Sequence, residues 1–398
     1  MSSNGATNSD TFCSLAHFGL FNENPYKTLS SCCAIDTNNS QFANKKNYNL
    51  QDDTFEDWYN SEYQRYLRSA LDNNIKLPEC NICWHKEETG FTSLRQVANN
   101  DITNDIQKND TWLKLYFSKN NKPMIIHADI KLSNLCNYGC VMCSPHDSSK
   151  IYSKWILDQS SEFVKDKLAI ESNYFEKIHN DVIKPDYDFL RKILNFPLKV
   201  LSITGGEPLL DNKLIEILST LDLAKQKKIT LVFVTNGSID LLKTYGRLKN
   251  FKSVTFVVSL ESTGAIQNYI RKYSKWDYIS KNINTALAHG IKIQIHTVIQ
   301  ALSLQNLHEL VVWCKEHGIK QEVTTLVDPH YLSINILPQA IIDESLAKLH
   351  KIGEIDLINY INKSYKDETV LYPKFLRYIK WYENDSDLKL VDILPNLQ

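Results

Sequence analysis

No stretch of this chain is apolar for the ~20 residues that a bilayer-spanning helix needs, so the sequence argues against a membrane span. An excess of one charge is missing as well: 45 Lys and Arg stand against 46 Asp and Glu, for a formal net charge of −1. The basic residues are scattered among acidic ones without a basic block, which removes the electrostatic reason to expect a nucleic-acid or membrane-surface partner. Internal repeats and low-complexity tracts are absent too. The first residues, Met1–Asp10, lack a positive segment followed by an apolar one. They read as part of a disordered tail (residues 1–11) rather than a secretory signal.

What remains is an ordinary globular composition, 43% hydrophobic and 23% charged over 398 residues, long enough for two or more domains. The nine cysteines are the unusual feature. Without a secretory signal they are expected to be reduced thiols of a cytoplasmic protein, where clustered cysteines are more often metal ligands than disulfides. Eight of the nine fall before residue 144. The isolated one, Cys314, shares a helical face with Leu307, Leu310 and Val311 and reads as a core residue.

Cys136, Cys140 and Cys143 have the spacing C-x3-C-x2-C. On a helix they would share a face, as a buried stripe would. Gly139 inside the triplet, Asn134 and Asn137 around its start, and Pro145 after it favour a turn-rich loop. The apolar run Met124–Ile130 just before it reads as a strand. Three thiolates on one loop can hold three irons of a cubane [4Fe–4S] cluster and leave the fourth iron open for chemistry.

A second set lies upstream: Cys13, the pair Cys32-Cys33, and Cys80-x2-Cys83. Two short apolar runs around Asn22-Glu-Asn-Pro-Tyr26 predict a β-hairpin that would bring Cys13 and Cys32 together. A helix is expected over Phe55–Leu71, with Phe55, Trp58, Tyr59, Tyr66 and Leu67 available for packing. Four thiolates suit either a structural zinc or a fully ligated iron–sulfur cluster, and spacing alone leaves both open. Glu87 and Arg95, further on, read as surface or hinge charges.

From Met124 onward strand-like runs alternate with amphipathic helical ones. Strands are expected at 124–130, 198–203, 230–234, 253–259, 291–298 and 321–326. Helices are expected at 211–224, 238–248, 276–289 and 303–317, with 147–195 largely helical. The alternation predicts βαβ units and a parallel sheet, with ligand sites at the C-terminal ends of strands. The second strand ends in Gly205-Gly206-Glu207-Pro208, where two glycines allow close backbone approach and Glu207 adds a carboxylate. The third ends in Thr235-Asn236-Gly237-Ser238, which either caps the next helix or lines a pocket. The fourth ends at Ser259, followed by Arg271, whose guanidinium fork suits a carboxylate. His296 on the fifth strand either points into the sheet's open face or is simply packed.

With these stretches together, the chain resembles the radical S-adenosylmethionine (radical SAM) superfamily. The Cys136–Cys143 loop looks like its cluster motif, Gly205–Glu207 its GGE motif, Asn236 lies in its TNG, and Ser259 with Tyr269-Ile-Arg271 and Trp276 is similar to its fourth-strand pattern, with Glu261 in place of the usual Asp. The upstream cysteines resemble a twitch domain, the shortened SPASM type, through Cys13, Cys32, Cys80-x2-Cys83-Trp84 and Ser93-Leu-Arg95. Lys27 stands where that pattern has Gly, and the domain precedes the core instead of following it. Cys32 fits the spacing count, with Cys33 the alternative ligand. The pattern Pro-x2-Leu-Ser-Ile-x2-Leu-Pro at 329–338 is also similar to this group.

The resemblance implies an α/β fold: a partial (β/α)6 TIM-like barrel at 120–330, a small N-terminal α+β cysteine-rich domain at 12–100, and a helical C-terminal extension at 331–398. It implies a SAM-binding [4Fe–4S] cluster on Cys136, Cys140 and Cys143, with Gly205, Gly206, Glu207, Asn236, Ser259 and Arg271 positioning S-adenosyl-L-methionine. It further implies a second, auxiliary [4Fe–4S] cluster on Cys13, Cys32, Cys80 and Cys83. The implied activity is an oxidoreductase-type radical reaction on a peptide or small-molecule substrate, fed by a reductant such as flavodoxin or ferredoxin. Rival readings are a non-enzymatic iron–sulfur or zinc scaffold and a SAM-dependent group transferase.

Overall fold

A computed structural model describes residues 9–23, 28–36, 54–108, 122–158, 160–165 and 182–397. Most of the expected N-terminal tail, Lys27, and residues 166–181 of the expected helical stretch lie outside the described residues. The architecture is α/β. Its strands are β1 (Gly19–Glu23), β2 (Thr28–Ser30), β3 (His127–Lys131), β4 (Gly139–Cys140), β5 (Val200–Thr204), β6 (Thr230–Thr235), β7 (Ser253–Ser259), β8 (Arg271–Lys272), β9 (Lys292–Ile299) and β10 (Lys320–Thr325). Eight form one mostly parallel sheet, while β4 and β8 form a separate ribbon. The chain divides into two compact units, residues 1–132 with 185–202, and residues 133–184 with 203–398.

In the first unit, β1 pairs antiparallel with β2 (Phe21 opposite Ser30) and parallel with β3 (Phe21 opposite Asp129). The expected hairpin is therefore present, but its first apolar run is partly helical: Ser14–Phe18 form a single turn before β1 begins. The helix expected over 55–71 is two helices, Phe55–Tyr59 and Glu62–Asp72. The break has a local cause. Ser61 is extended, and its hydroxyl accepts from Gln64 N at 3.2 Å, so it caps the second helix instead of continuing the first. That second helix presents Leu67, Ala70 and Leu71 to Ala16, Leu77 and Trp84, all 5% exposed or less. Burial of each large apolar side chain contributes about 1.5–3 kcal/mol.

In the second unit, β6, β7, β9 and β10 run parallel. Leu231, Phe233, Phe256, Val258 and Ile295 are fully buried on one face, where Phe233 and Phe256 stack at 5.9 Å. Their alternates, Val234, Val257, Ser259, His296 and Val298, are partly exposed on the other. This period of two is what made the strands legible. Helix Trp276–Ala288 places Ile279, Ile283 and Ala286, each fully buried, on one stripe. Asp211 and Asp240 cap the helices after β5 and β6 by accepting from Leu214 N at 3.0 Å and Lys243 N at 2.8 Å. The C-terminal region is helical, as expected, in Gln339–Lys351, Ile355–Ser364, Tyr372–Tyr382 and Leu390–Ile393.

Candidate functional site

The three-cysteine loop is held by its own polar residues. Asn134 is fully buried, its amide donating to Pro145 O at 2.7 Å while its carbonyl accepts from Ile183 N at 2.8 Å. Ser149 hydroxyl bonds both the N–H and the carbonyl of Cys136 at 3.2 Å. Ser148 donates to Tyr138 O at 2.5 Å and starts the helix Ser149–Leu157. The loop is thus no helix: Gly139–Cys140 instead pair as β4 with β8, placing Cys140 opposite Arg271.

The glycine pair explains itself in the same place. Gly206 N donates to Ser133 O at 2.9 Å, and Glu207 N donates to Leu135 O at 2.7 Å. A Cβ on Gly205, whose φ is +134°, would meet Ser133 O at 2.5 Å, and one on Gly206 would meet both Asn134 O and Leu135 O. The backbone that these glycines approach is the cysteine loop itself. Glu207 is 1% exposed and accepts from Leu209 N at 3.0 Å, Thr235 Oγ1 at 2.9 Å and Asn236 N at 2.6 Å. Burial pushes its carboxyl up to about 7, against those hydrogen bonds. Glu207 thus ties the ends of two neighbouring strand loops together.

Donors converge on the sulfurs. Cys136 Sγ faces Tyr138 N at 3.4 Å and Asn236 Nδ2 at 3.9 Å, while Cys140 Sγ faces Arg271 Nη1 at 3.7 Å. Arg271 is aimed by Glu261, a fully buried carboxylate that accepts from its Nε and, at 2.7 Å, its Nη2. Glu261 at this position therefore works as the fork's partner, a role that the sequence did not reveal. Asn236 also donates to Asn137 Oδ1 at 2.9 Å. The Cys143 thiol donates toward Cys140, which lowers the Cys140 thiol and raises that of Cys143, while burial pushes Cys136 up to about 12. Ser259 lies directly across the ladder from His296, whose Nε2 is 3.2 Å from Thr324 Oγ1.

The first unit gathers the other sulfurs. Cys13, Cys32, Cys80 and Cys83 line one cavity, walled by Leu67, Leu71 and Trp84. Cys33 does not join them: its thiol hydrogen-bonds Asp129 instead, whose carboxyl burial pushes up to about 6. Among the described residues no three His, Cys, Asp or Glu side chains close on a single point. Burial raises the Cys13 thiol to about 11 and also raises Cys83, with Arg95 opposing in both cases. Arg95 and Glu87 are the correction to the sequence reading. They are 11% and 17% exposed and paired at 2.6 Å, and the Arg95 guanidinium lies 4.9 Å from the Trp84 ring centre and donates to Phe12 O at 2.7 Å. Arg95 forms part of the wall around the sulfurs, and Glu87 holds it there.

Residues of the C-terminal helix complete the three-cysteine loop, and nothing in their sequence signalled it. Tyr378 hydroxyl donates to Val141 O at 2.6 Å and Tyr382 hydroxyl to Gly139 O at 2.8 Å. Beyond them, Asp385 receives both Lys154 at 2.7 Å and Lys272 at 2.8 Å.

The profile of the radical SAM superfamily matches residues 130–314. That stretch, just under half of the chain, is a match to the radical SAM superfamily. It is 26% identical over 201 residues to a GTP 3',8-cyclase of Helicobacter pylori, a match spanning 50% of this chain and 54% of that protein. The chain thus spans about half the length of this curated relative. Solved structures that it resembles include anSMEcpe with bound AdoMet (15% identity, TM-score 0.40, 57% of this chain and 60% of that one). Another is Streptococcus suis SuiB bound to precursor peptide SuiA (17% identity, TM-score 0.37, 68% and 59%).

Proposed function

We propose that this chain is a radical SAM enzyme in which Cys136, Cys140 and Cys143 hold a [4Fe–4S] cluster and Cys13, Cys32, Cys80 and Cys83 hold an auxiliary one. With S-adenosylmethionine bound and one electron from a reductant such as flavodoxin or ferredoxin, the first site would supply reductive cleavage of the sulfonium, releasing methionine and giving hydrogen-atom abstraction from the substrate.

The chain's own residues do the rest. Tyr138 N, Asn236 Nδ2 and Arg271 Nη1 offer hydrogen bonds to sulfurs that burial alone would keep protonated, and so favour the thiolate form that binds iron. Glu261 fixes the Arg271 fork, so that Nη1 remains turned toward the cluster loop. Gly205, Gly206, Glu207 and Asn236 would shape the edge that receives the methionine amino group, and Ser259 would receive its carboxylate, with Arg271, whose Nε and Nη2 are engaged by Glu261, contributing through Nη1. His296 shares a hydrogen bond with Thr324 on the part-exposed face of the sheet and is a candidate to contact substrate. In the first unit Arg95 offsets negative charge on Cys13 and Cys83. Four thiols lining one cavity suit a cubane or a single zinc ion, and the likeness of the segment to a twitch domain favours the cubane. Cys13, Cys32, Cys80 and Cys83 would hold an auxiliary cluster that could serve as electron acceptor, chemistry that suits net oxidation, ring closure or cross-linking. Ring closure also fits the name of the cyclase relative.

One observation carries this reading: the Gly205–Glu207 backbone is hydrogen-bonded to the cysteine loop while donors from two other strand ends reach its sulfurs. The test is anaerobic reduction of the reconstituted protein with S-adenosylmethionine. It should release 5′-deoxyadenosine, and Cys140→Ala should abolish the release. Cleavage that survives Cys140→Ala would overturn the assignment.

A further inference from the structure

A cavity of about 210 Å³ in the second unit is lined on one side by Met142, Cys143 and Ser144 of the cysteine loop. Trp155 and three rings that brace one another wall it: Phe163 lies 5.1 Å from Tyr378 and 5.7 Å from Tyr331, and Tyr331 lies 4.8 Å from Tyr378. The hydrogen bond from Tyr378 to Val141 O fixes this box to the cysteine loop. Among the described residues its charged lining is one acid, Asp328, and one base, Lys374, besides His330. The Lys374 ammonium sits 5.2 Å from the Tyr331 ring centre, at the edge of the aromatic wall.

We propose that this cavity is the substrate site and that it takes a free aromatic α-amino acid. The ring would lie among Phe163, Tyr331 and Tyr378, the ammonium toward Asp328 and the carboxylate toward Lys374. Size, lining and charge each support this. An apolar cavity of about 150 Å³ holds a benzene ring, so 210 Å³ leaves room for one ring and a short polar backbone. Offset and edge-on packing against several rings favours an aromatic guest over an aliphatic one. One acid with one base complements a zwitterion. A nucleoside triphosphate needs several cations around its phosphates, and among the described residues this wall offers a single lysine. The position beside Cys143 places the guest next to the proposed cluster, so the inference rests on the functional reading above and names its substrate class.

Equilibrium dialysis of the reconstituted protein against L-tyrosine, N-acetyl-L-tyrosinamide and GTP tests it. L-Tyrosine should bind saturably at one per chain. Phe163→Ala and Lys374→Met should each weaken that binding at least about tenfold, with iron per chain unchanged as the check on folding. Equal binding of the blocked tyrosine, saturable binding of GTP in competition with tyrosine, or unaltered affinity in both variants would overturn the proposal. Tyrosine binding to a protein that takes up no iron would uphold the cavity and sink the cluster reading. Iron and 5′-deoxyadenosine without tyrosine binding would do the reverse.

Discussion

Gly206 and Arg95 show how much of each sulfur site depends on a single side chain, or on the lack of one. A methyl group at Gly206 would collide with two carbonyls of the cysteine loop, neither of which can move without shifting Cys136. Gly206→Ala is therefore expected to lose most of the iron on the three-cysteine loop, read by iron analysis and visible absorption, while the other four sulfurs keep theirs. Arg95 supplies the cation beside the four-cysteine cavity and is the partner of Glu87. Removing one member of a buried pair costs about 3–5 kcal/mol because the other is left uncompensated. Arg95→Met should lower the unfolding free energy by roughly that amount in denaturant titrations. Glu87→Gln added to it should recover part of the loss. His127 gives a pH test. Burial lowers it to about 4, so the folded protein keeps it neutral where the unfolded chain protonates it near its ordinary value of 6.5. The unfolded state then binds more protons, and stability falls as pH drops from 6.5 toward 4, by at most about 3 kcal/mol. In His127→Leu that part of the acid sensitivity should disappear, which unfolding curves at pH 7 and pH 4.5 would reveal.

The element that most changes the picture is the C-terminal helix Tyr372–Tyr382. Its aromatic content was plain in the sequence, but its task was not, because the acceptors of Tyr378 and Tyr382 are backbone carbonyls more than 200 residues away. Such pairings have no sequence period to betray them. The same reason hid Arg95 with Glu87 and Glu261 with Arg271, whose partners come from a turn or a neighbouring element instead of one helical face. The strands were the opposite case. β6 and β9 alternate buried and part-exposed residues, and the alternation of such strand-like runs with amphipathic helical ones made the parallel order readable. The break at Ser61 was missed because the apolar spacing of Trp58, Tyr59, Tyr66 and Leu67 runs across a cap without a change of phase. Tyr378→Phe and Tyr382→Phe each leave a buried carbonyl without its donor, at about 1–3 kcal/mol. The double variant should release iron from the three-cysteine loop faster than wild type on challenge with a chelator, and the four-cysteine set at the wild-type rate. Equal rates for both sets would show that the helix merely adds stability.

For the whole molecule, the account makes two sulfur sites, each built from the residues of its own unit. Cys13, Cys32, Cys80 and Cys83 share the first, and Cys136, Cys140 and Cys143 lie on one loop of the second. That division turns the central claim into a count. The deciding measurement is iron and sulfide per chain after anaerobic reconstitution of wild type, of a variant with Cys136, Cys140 and Cys143 changed to Ala, and of one with Cys80 and Cys83 changed to Ala. The account predicts about eight irons in wild type and about four in each variant, since each set loads independently of the other. About four irons in wild type, all lost with Cys136, Cys140 and Cys143 and none with Cys80 and Cys83, would contradict it.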